Sequence, residues 1–124
     1  MTIKHLVISG GGPNMLQLYG ALKYSNQKDV WSIDNIQSIH ATSAGAVVAL
    51  LFMLKMDFED IDNYMINRPW DTLFHISAQQ LLQLITKTGI FNISALTEFV
   101  APLLKCKEYS NNITLQELYD STNI

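Results

Sequence analysis

Residues Ser38 to Val48, reading Ser-Ile-His-Ala-Thr-Ser-Ala-Gly-Ala-Val-Val, restrict the fold more than any other stretch of the chain. They predict a short strand, a tight turn carrying Ser43, and a helix of small and apolar residues. Such a turn lifts a serine hydroxyl clear of a sheet and sets it at a helix N-terminus, an arrangement called a nucleophile elbow. Strand and helix must approach closely beside the serine, and Gly45 supplies that closeness. Ala41 stands where the commoner G-x-S-x-G pattern has its first glycine, so this elbow carries one extra methyl. The positive end of the helix dipole favours an anion forming near Ser43. The same letters also fit an ordinary helix-capping serine.

Upstream, His5-Leu6-Val7-Ile8-Ser9 is a short apolar run that ends in Gly10-Gly11-Gly12-Pro13. A near-continuous apolar run followed by glycines predicts a buried parallel strand and a turn. Met15, Leu18, Tyr19 and Leu22 recur at helical spacing and predict one face of a helix reaching about Tyr24. Gly20 and Ala21 are expected to keep that helix thin enough to lie against the sheet. After a polar loop over Ser25 to Asp29, Asp34-Asn35 turns the chain into a second strand, about Ile36 to Ala41. Strand, helix, strand, helix is the order of a βαβ unit, so the class is α/β with a parallel sheet.

Both strands of a parallel pair end on one edge, which would bring Gly10, Gly11 and Gly12 to Ser43. Backbone N–H groups of a glycine loop can converge on one spot because no Cβ blocks them. If that spot lies close to the Ser43 hydroxyl, the loop is an oxyanion hole for acyl transfer.

The remainder is read as helical. Asp57 caps a helix with Phe58, Ile61 and Met65 on one face, ended by Pro69, with Trp70 packing nearby. Ser77 with Gln80 forms a capping box, and Gly89 closes the helix that follows. Ser94 starts a short helix through Leu96, Phe99 and Val100, which Pro102 kinks or ends. Thr114 with Glu117 is a second capping box, opening a helix that holds Leu115 and Leu118. Two strands are few for so many helices, so residues 1–124 are expected to be a fragment, the N-terminal portion of one larger domain, the alternative being that the missing strands come from elsewhere.

Composition excludes several classes. At 124 residues, 48% hydrophobic and 15% charged, the chain is globular and not disordered. A net charge of −3 gives no electrostatic case for nucleic acid. Cys106 is the only cysteine, which suits a reduced intracellular setting. The apolar run Ala44 to Leu54 is too short to span a bilayer and is read as a helix buried on all sides. No His, Cys or carboxylate pair has metal-ligand spacing, so neither a metal nor a cofactor is expected.

The chain resembles the patatin-like phospholipases, or lipid acyl hydrolases. The matching residues are Ser9-Gly10-Gly11-Gly12, Gly20-Ala21-Leu22 and His40-Ala41-Thr42-Ser43-Ala44-Gly45-Ala46. Gly89-Ile90-Phe91-Asn92 and Ile113 to Tyr119 look like further landmarks, so the resemblance covers nearly the whole chain. It implies a three-layer α/β/α sandwich and hydrolysis of fatty-acyl esters of phospholipids or neutral lipids by a Ser–Asp dyad. By that likeness Ser43 is the nucleophile, and the N–H groups of Gly10, Gly11 and Gly12 bind the oxyanion. Transient contact with a membrane surface is implied as well. The texture of the sequence is most similar to versions from large DNA viruses, which implies an intracellular setting in the host.

Three departures stand out. Pro13-Asn14-Met15 occupy the region where the family has a basic residue and a glycine. Ala41 replaces the first elbow glycine, a change the turn is expected to tolerate. No aspartate is followed by glycine, so the family's Asp-Gly motif is absent, and the base is assigned to none of Asp57, Asp60, Asp62, Asp71 or Asp120. Among the histidines, His40 is expected to pack or to bond to backbone, His75 is an alternative base, and His5 precedes the first strand. Two rival classes remain. A nucleotide-binding module lacks the glycine its fingerprint wants where Met15 stands, and there is no Gly-Lys-Ser/Thr. A catalytically inactive interaction module fits the missing base.

Overall fold

A computed structural model describes residues 2–70 and 93–124. The chain divides into two compact units, Met1–Ile66 with Ile113–Ile124, and Asn67–Asn112. No described helix is long and apolar enough to cross a membrane.

The first unit is built on a parallel pair of strands, β1 (His5–Ile8) and β2 (Ser38–Ala41). Between them run a 3-10 turn (Gly12–Asn14), helix α1 (Met15–Gln27) and a second 3-10 turn (Ile33–Asn35). The register pairs His5 with Ser38 and Ile8 with Ala41, so both strands end level. The expected α/β class and parallel pairing are therefore found. Helix α2 (Ala44–Met53) follows β2 and packs on both strands and on α1.

Side chains alternate across a strand, and here one face is covered and the other is open. Leu6 and Ile8 are buried, whereas Val7 is 83% exposed and His5 and His40 are exposed. This corrects the expectation of a strand buried on both faces. In the first unit the helices contact the Leu6–Ile8 side, so the third layer of a sandwich is not formed by these elements. Helix α2 buries Val48, Ala49, Leu51 and Phe52 but leaves Ala46 exposed. It is deeply set without being buried all round. Each large apolar side chain buried there stabilises the unit by about 1.5–3 kcal/mol.

Helix α1 turns Met15 and Tyr19 inward, with Leu18 and Leu22 half-buried, as its spacing predicts. It runs on to Gln27, past the expected end. There Asp29 takes a left-handed φ of 57° and the Val30 and Asp29 amides close back on Ser25 and Asn26 at 3.0 Å each. That hydrogen-bond pair is a Schellman cap. Gly20 and Ala21 are exposed, and a Cβ on Gly20 would meet nothing within 4 Å. The expected thin contact with the sheet is thus absent; Gly20 lies on the helix's outer side.

Helix α3 (Phe58–Asn67) buries Ile61 and Met65, the expected face. An aromatic cluster joins the helices: Phe52 stacks with Tyr19 at 6.2 Å and meets Trp31 and Phe58 edge-on at 5.2 and 6.4 Å. Buried Trp31 donates its indole N–H to the Leu22 carbonyl and to Ser25 Oγ, both at 3.0 Å.

In the second unit, α4 (Ile93–Cys106) passes through Pro102 without ending, so of the two outcomes expected there, a kink or an end, the end is not found. A proline cannot donate to the carbonyl four residues back. Here that carbonyl, on Glu98, accepts from the Arg68 guanidinium instead. The inward face is Phe99, Leu103 and Leu104, while Leu96 is half exposed. Glu108, at φ 60°, closes the helix, with the Tyr109 amide on the Leu104 carbonyl at 2.9 Å. The Trp70 and Phe99 rings lie 5.7 Å apart.

Helix α5 (Leu115–Thr122) belongs to the first unit and begins with the expected capping box. The Glu117 amide donates to Thr114 Oγ1 at 3.2 Å, and the Thr114 amide donates to Glu117 Oε2 at 2.8 Å. The helix holds Leu115 and Leu118 as expected; Leu118 is buried and Leu115 is 84% exposed. The capping box and closing glycine expected at Ser77, Gln80 and Gly89 lie outside the described residues.

Candidate active site

Because β1 and β2 end level, the turn after each opens on the same edge. The Thr42 amide donates to the Ile8 carbonyl at 3.2 Å and carries the pairing one residue past the strands. The chain then reverses at Ser43, whose φ is 52° and ψ −132°. That region is sparsely populated by any residue with a Cβ, and occupying it costs of order 1–3 kcal/mol. The first turn of α2 is locked at once by Gly45 N–H to Thr42 O and Ala46 N–H to Ser43 O, both 2.9 Å.

Ser43 sits at the N-cap position, but its side chain makes no capping bond. The bland reading of a helix-capping serine needs that bond. Among the described residues the hydroxyl has no hydrogen-bond partner, and Ser43 is exposed.

Two glycines let the chains meet here. A Cβ on Gly45 would fall 2.5 Å from Ser9 O and 2.8 Å from Ile8 O, both fixed backbone atoms. Helix α2 therefore starts against the end of β1 only because residue 45 is glycine. A Cβ on Gly10 would fall 2.9 Å from Ser43 Cβ and 3.5 Å from Ser43 Oγ. The glycine loop and the elbow are thus in contact, and Gly10 is the point of contact.

Gly11 and Gly12 play other parts. Gly12 has a φ of 53°, a left-handed conformation that suits glycine, and a Cβ there would meet nothing within 4 Å. At Gly11 an added Cβ would make an ordinary 3.6 Å contact with Asn14 Cβ. The Gly11 carbonyl accepts from the Asn14 amide at 3.1 Å, which closes the turn into α1. Among the described residues the amides of Gly10, Gly11 and Gly12 have no acceptor, and all three residues are exposed. Sequence reasoning overlooked Ala44. Its N–H, at the first position of α2, has no intrahelical acceptor by the geometry of a helix start. Its place directly after Ser43 was the available signal.

The candidate bases do not gather at the elbow. His40 is exposed and its Nε2 shares a 3.3 Å hydrogen bond with Ser38 Oγ, which His5 Nδ1 also reaches at 2.9 Å. The expected backbone bond of His40 is replaced by this side-chain bridge on the open sheet face, and His5 is the first residue of β1. Asp57 and Asp60 are exposed at the start of α3, and Asp120 accepts from Gln116 at 2.8 Å. Asp62 is held by Tyr19 and Lys23; the Lys23 hydrogen bond is the main cause of its lowered pKa, against a smaller upward effect of burial. Asp71 and His75 lie outside the described residues. No three His, Cys, Asp or Glu side chains cluster among the described residues. A depression of about 170 Å³ in the second unit, lined by Leu96, Thr97, Val100, Ala101, Leu104 and Asn111, holds no titrating group.

A family model for patatin-like phospholipases matches residues 6–119. The chain is also similar to an uncharacterized protein of Acanthamoeba polyphaga mimivirus, 28% identical over 118 residues, covering 94% of this chain and 39% of that protein. It thus spans about two fifths of the length of the curated relative it matches. No solved structure matches.

Proposed function

The chain belongs to the patatin-like phospholipase family, and from that premise we propose that it is the N-terminal portion of a lipid acyl hydrolase whose nucleophile is Ser43. The observation that carries the reading is the contact between a strained, uncapped Ser43 and the glycine loop at Gly10.

In the proposed reaction Ser43 Oγ attacks the ester carbonyl carbon while a base removes its proton. The carbonyl π pair moves onto oxygen, and the N–H groups of Gly10, Gly11, Gly12 and Ala44 are the donors available to that oxyanion. Each donor of this kind contributes roughly 10²–10³ in kcat. Collapse expels the alcohol, which takes up the proton, and leaves an acyl-serine. Water then attacks the acyl carbon, frees the fatty acid and restores Ser43. By the family likeness the base is an aspartate of an Asp-Gly motif, which residues 1–124 do not contain, so it is proposed to lie further along the full-length protein. Without a positioned base the serine hydroxyl is a weak nucleophile, so residues 1–124 alone are expected to be inactive.

The substrate is a phospholipid or other fatty-acyl ester met at a membrane surface, inside the cell. Turnover of short-chain and phospholipid esters by wild type and by Ser43→Ala tests the reading. Equal rates reject it. One observation favours a second reading, an inactive interaction module: no described carboxylate or imidazole bonds to Ser43. A Ser43-dependent rate excludes it.

A further inference from the structure

Tyr19 is a buried titratable side chain that the reaction does not use; it is 5% exposed. Its ring stacks on Phe52 of α2, with centroids 6.2 Å apart. Its hydroxyl donates to Asp62 Oδ1 of α3 at 2.8 Å and lies 3.4 Å from the Phe58 carbonyl. Lys23, one turn further along α1, pairs with the other oxygen of Asp62 and lies 5.8 Å from the Phe58 ring centre. Three helices therefore meet at one phenol. Burial first, then the Asp62 hydrogen bond and charge, raise the Tyr19 pKa, so the phenol keeps the proton it donates.

The glycine loop has no side chains of its own to hold it. Among the described contacts its anchors are the Asn14 amide on the Gly11 carbonyl and the amide of buried Met15, the first residue of α1, on the Gly12 carbonyl. The loop's position is thus inherited from α1, just as Ser43's is inherited from the strand end and α2. Resting on the reading of Ser43 as nucleophile, we propose that Tyr19 is a positioning residue that fixes the glycine loop against Ser43 by fastening α1 to α2 and α3. Displacements near 1 Å at such a site cost up to about 10²-fold in rate, so a fastening one turn into α1, the helix that follows the loop, bears on catalysis.

The test uses the full-length protein, which carries the proposed aspartate base, with Tyr19→Phe, which keeps the ring stack and removes the donor. Two quantities are read: ¹⁵N relaxation of the Gly10, Gly11 and Gly12 amides, and kcat and KM on a short-chain ester. The expected result is faster loop motion and a kcat lower by about 10-fold or more at nearly constant KM, with circular dichroism unchanged. If Tyr19→Phe does not fold, Asp62→Ala removes the acceptor from a partly exposed position and serves the same comparison. Loop motion equal to wild type overturns the proposal, whatever the turnover. Faster loop motion in a protein whose wild type shows no Ser43-dependent turnover upholds the positioning and rejects the nucleophile.

Discussion

Gly10 lies against Ser43 so closely that a methyl group on Gly10 would come within 2.9 Å of Ser43 Cβ. Real side chains do not tolerate that distance, so Gly10→Ala must push Ser43 or its own loop aside. Gly11→Ala, by contrast, makes an ordinary 3.6 Å contact. Labelling by a fluorophosphonate should therefore slow by about 10-fold or more in Gly10→Ala, a 1 Å-scale displacement, and change little in Gly11→Ala. Equal effects of the two would mean that the close approach has no bearing on Ser43.

Gly45 and Gly20 make an opposed pair for stability. A methyl on Gly45 would strike Ser9 O at 2.5 Å, and backbone there cannot give way cheaply. Gly45→Ala should destabilise the first unit by about 1–3 kcal/mol, the usual range for overpacking. Gly20 is exposed in the middle of α1 with nothing within 4 Å, so Gly20→Ala should stabilise by about 0.5–1 kcal/mol. Urea melts of both variants check the signs.

Strain at Ser43 has a measurable consequence. Glycine relaxes at φ 52° and ψ −132°, whereas alanine stays strained there. Offsetting the unfolded-state entropy of glycine, Ser43→Gly should remain more stable than Ser43→Ala by about 1 kcal/mol. An alanine variant as stable as the glycine one contradicts a strained elbow.

Much of this is legible in the sequence alone. The triglycine, Ser43 and Gly45 are punctuated by small residues, and parallel strand ends meet on one edge by topology alone. The Thr114–Glu117 capping box was legible because it is local. Contacts between residues far apart in sequence were not. Nothing in the chain marks Gly10 in preference to Gly11 as the neighbour of Ser43, or joins Tyr19 to Asp62, 43 residues on. Pro102 reads as a helix breaker until Arg68 is seen on the Glu98 carbonyl. Nor does spacing reveal that Leu115, on the same helical face as buried Leu118, is 84% exposed at the first position of α5.

The Arg68–Glu98 bond and Pro102 should be coupled energetically. Pro102→Ala restores the missing N–H donor to Glu98 O, so Arg68→Ala should do less harm in that background. A double-mutant cycle should give a coupling of about 0.5 kcal/mol or more, the range for residues sharing a hydrogen-bond network. Additive effects would mean that α4 tolerates Pro102 for another reason.

Stability should fall at both extremes of pH, by different groups. The pKa of Asp62 is lowered mainly by its hydrogen bond from Lys23, and that of Glu117 mainly by its bond from the Thr114 backbone. Lowered acids stabilise the fold above their unfolded values near ~4 and lose that contribution as pH falls through the folded ones. Tyr19 is raised, so its contribution is complete below about pH 10 and fades as pH climbs beyond. Thermal midpoints of Asp62→Asn and Glu117→Gln should flatten the acid side, and those of Tyr19→Phe the alkaline side. Unaltered profiles would show that these bonds do not persist in solution.

The most direct measurement is the site of covalent attack. The full-length protein, which carries the proposed aspartate base, is incubated with a long-chain alkyl fluorophosphonate, digested, and the adduct is located by tandem mass spectrometry. The expected result is a phosphonyl group on Ser43 in preference to every other serine, and no adduct after Ser43→Ala. Modification spread evenly over the serines, or absent from Ser43, would contradict the assignment of Ser43 as the nucleophile.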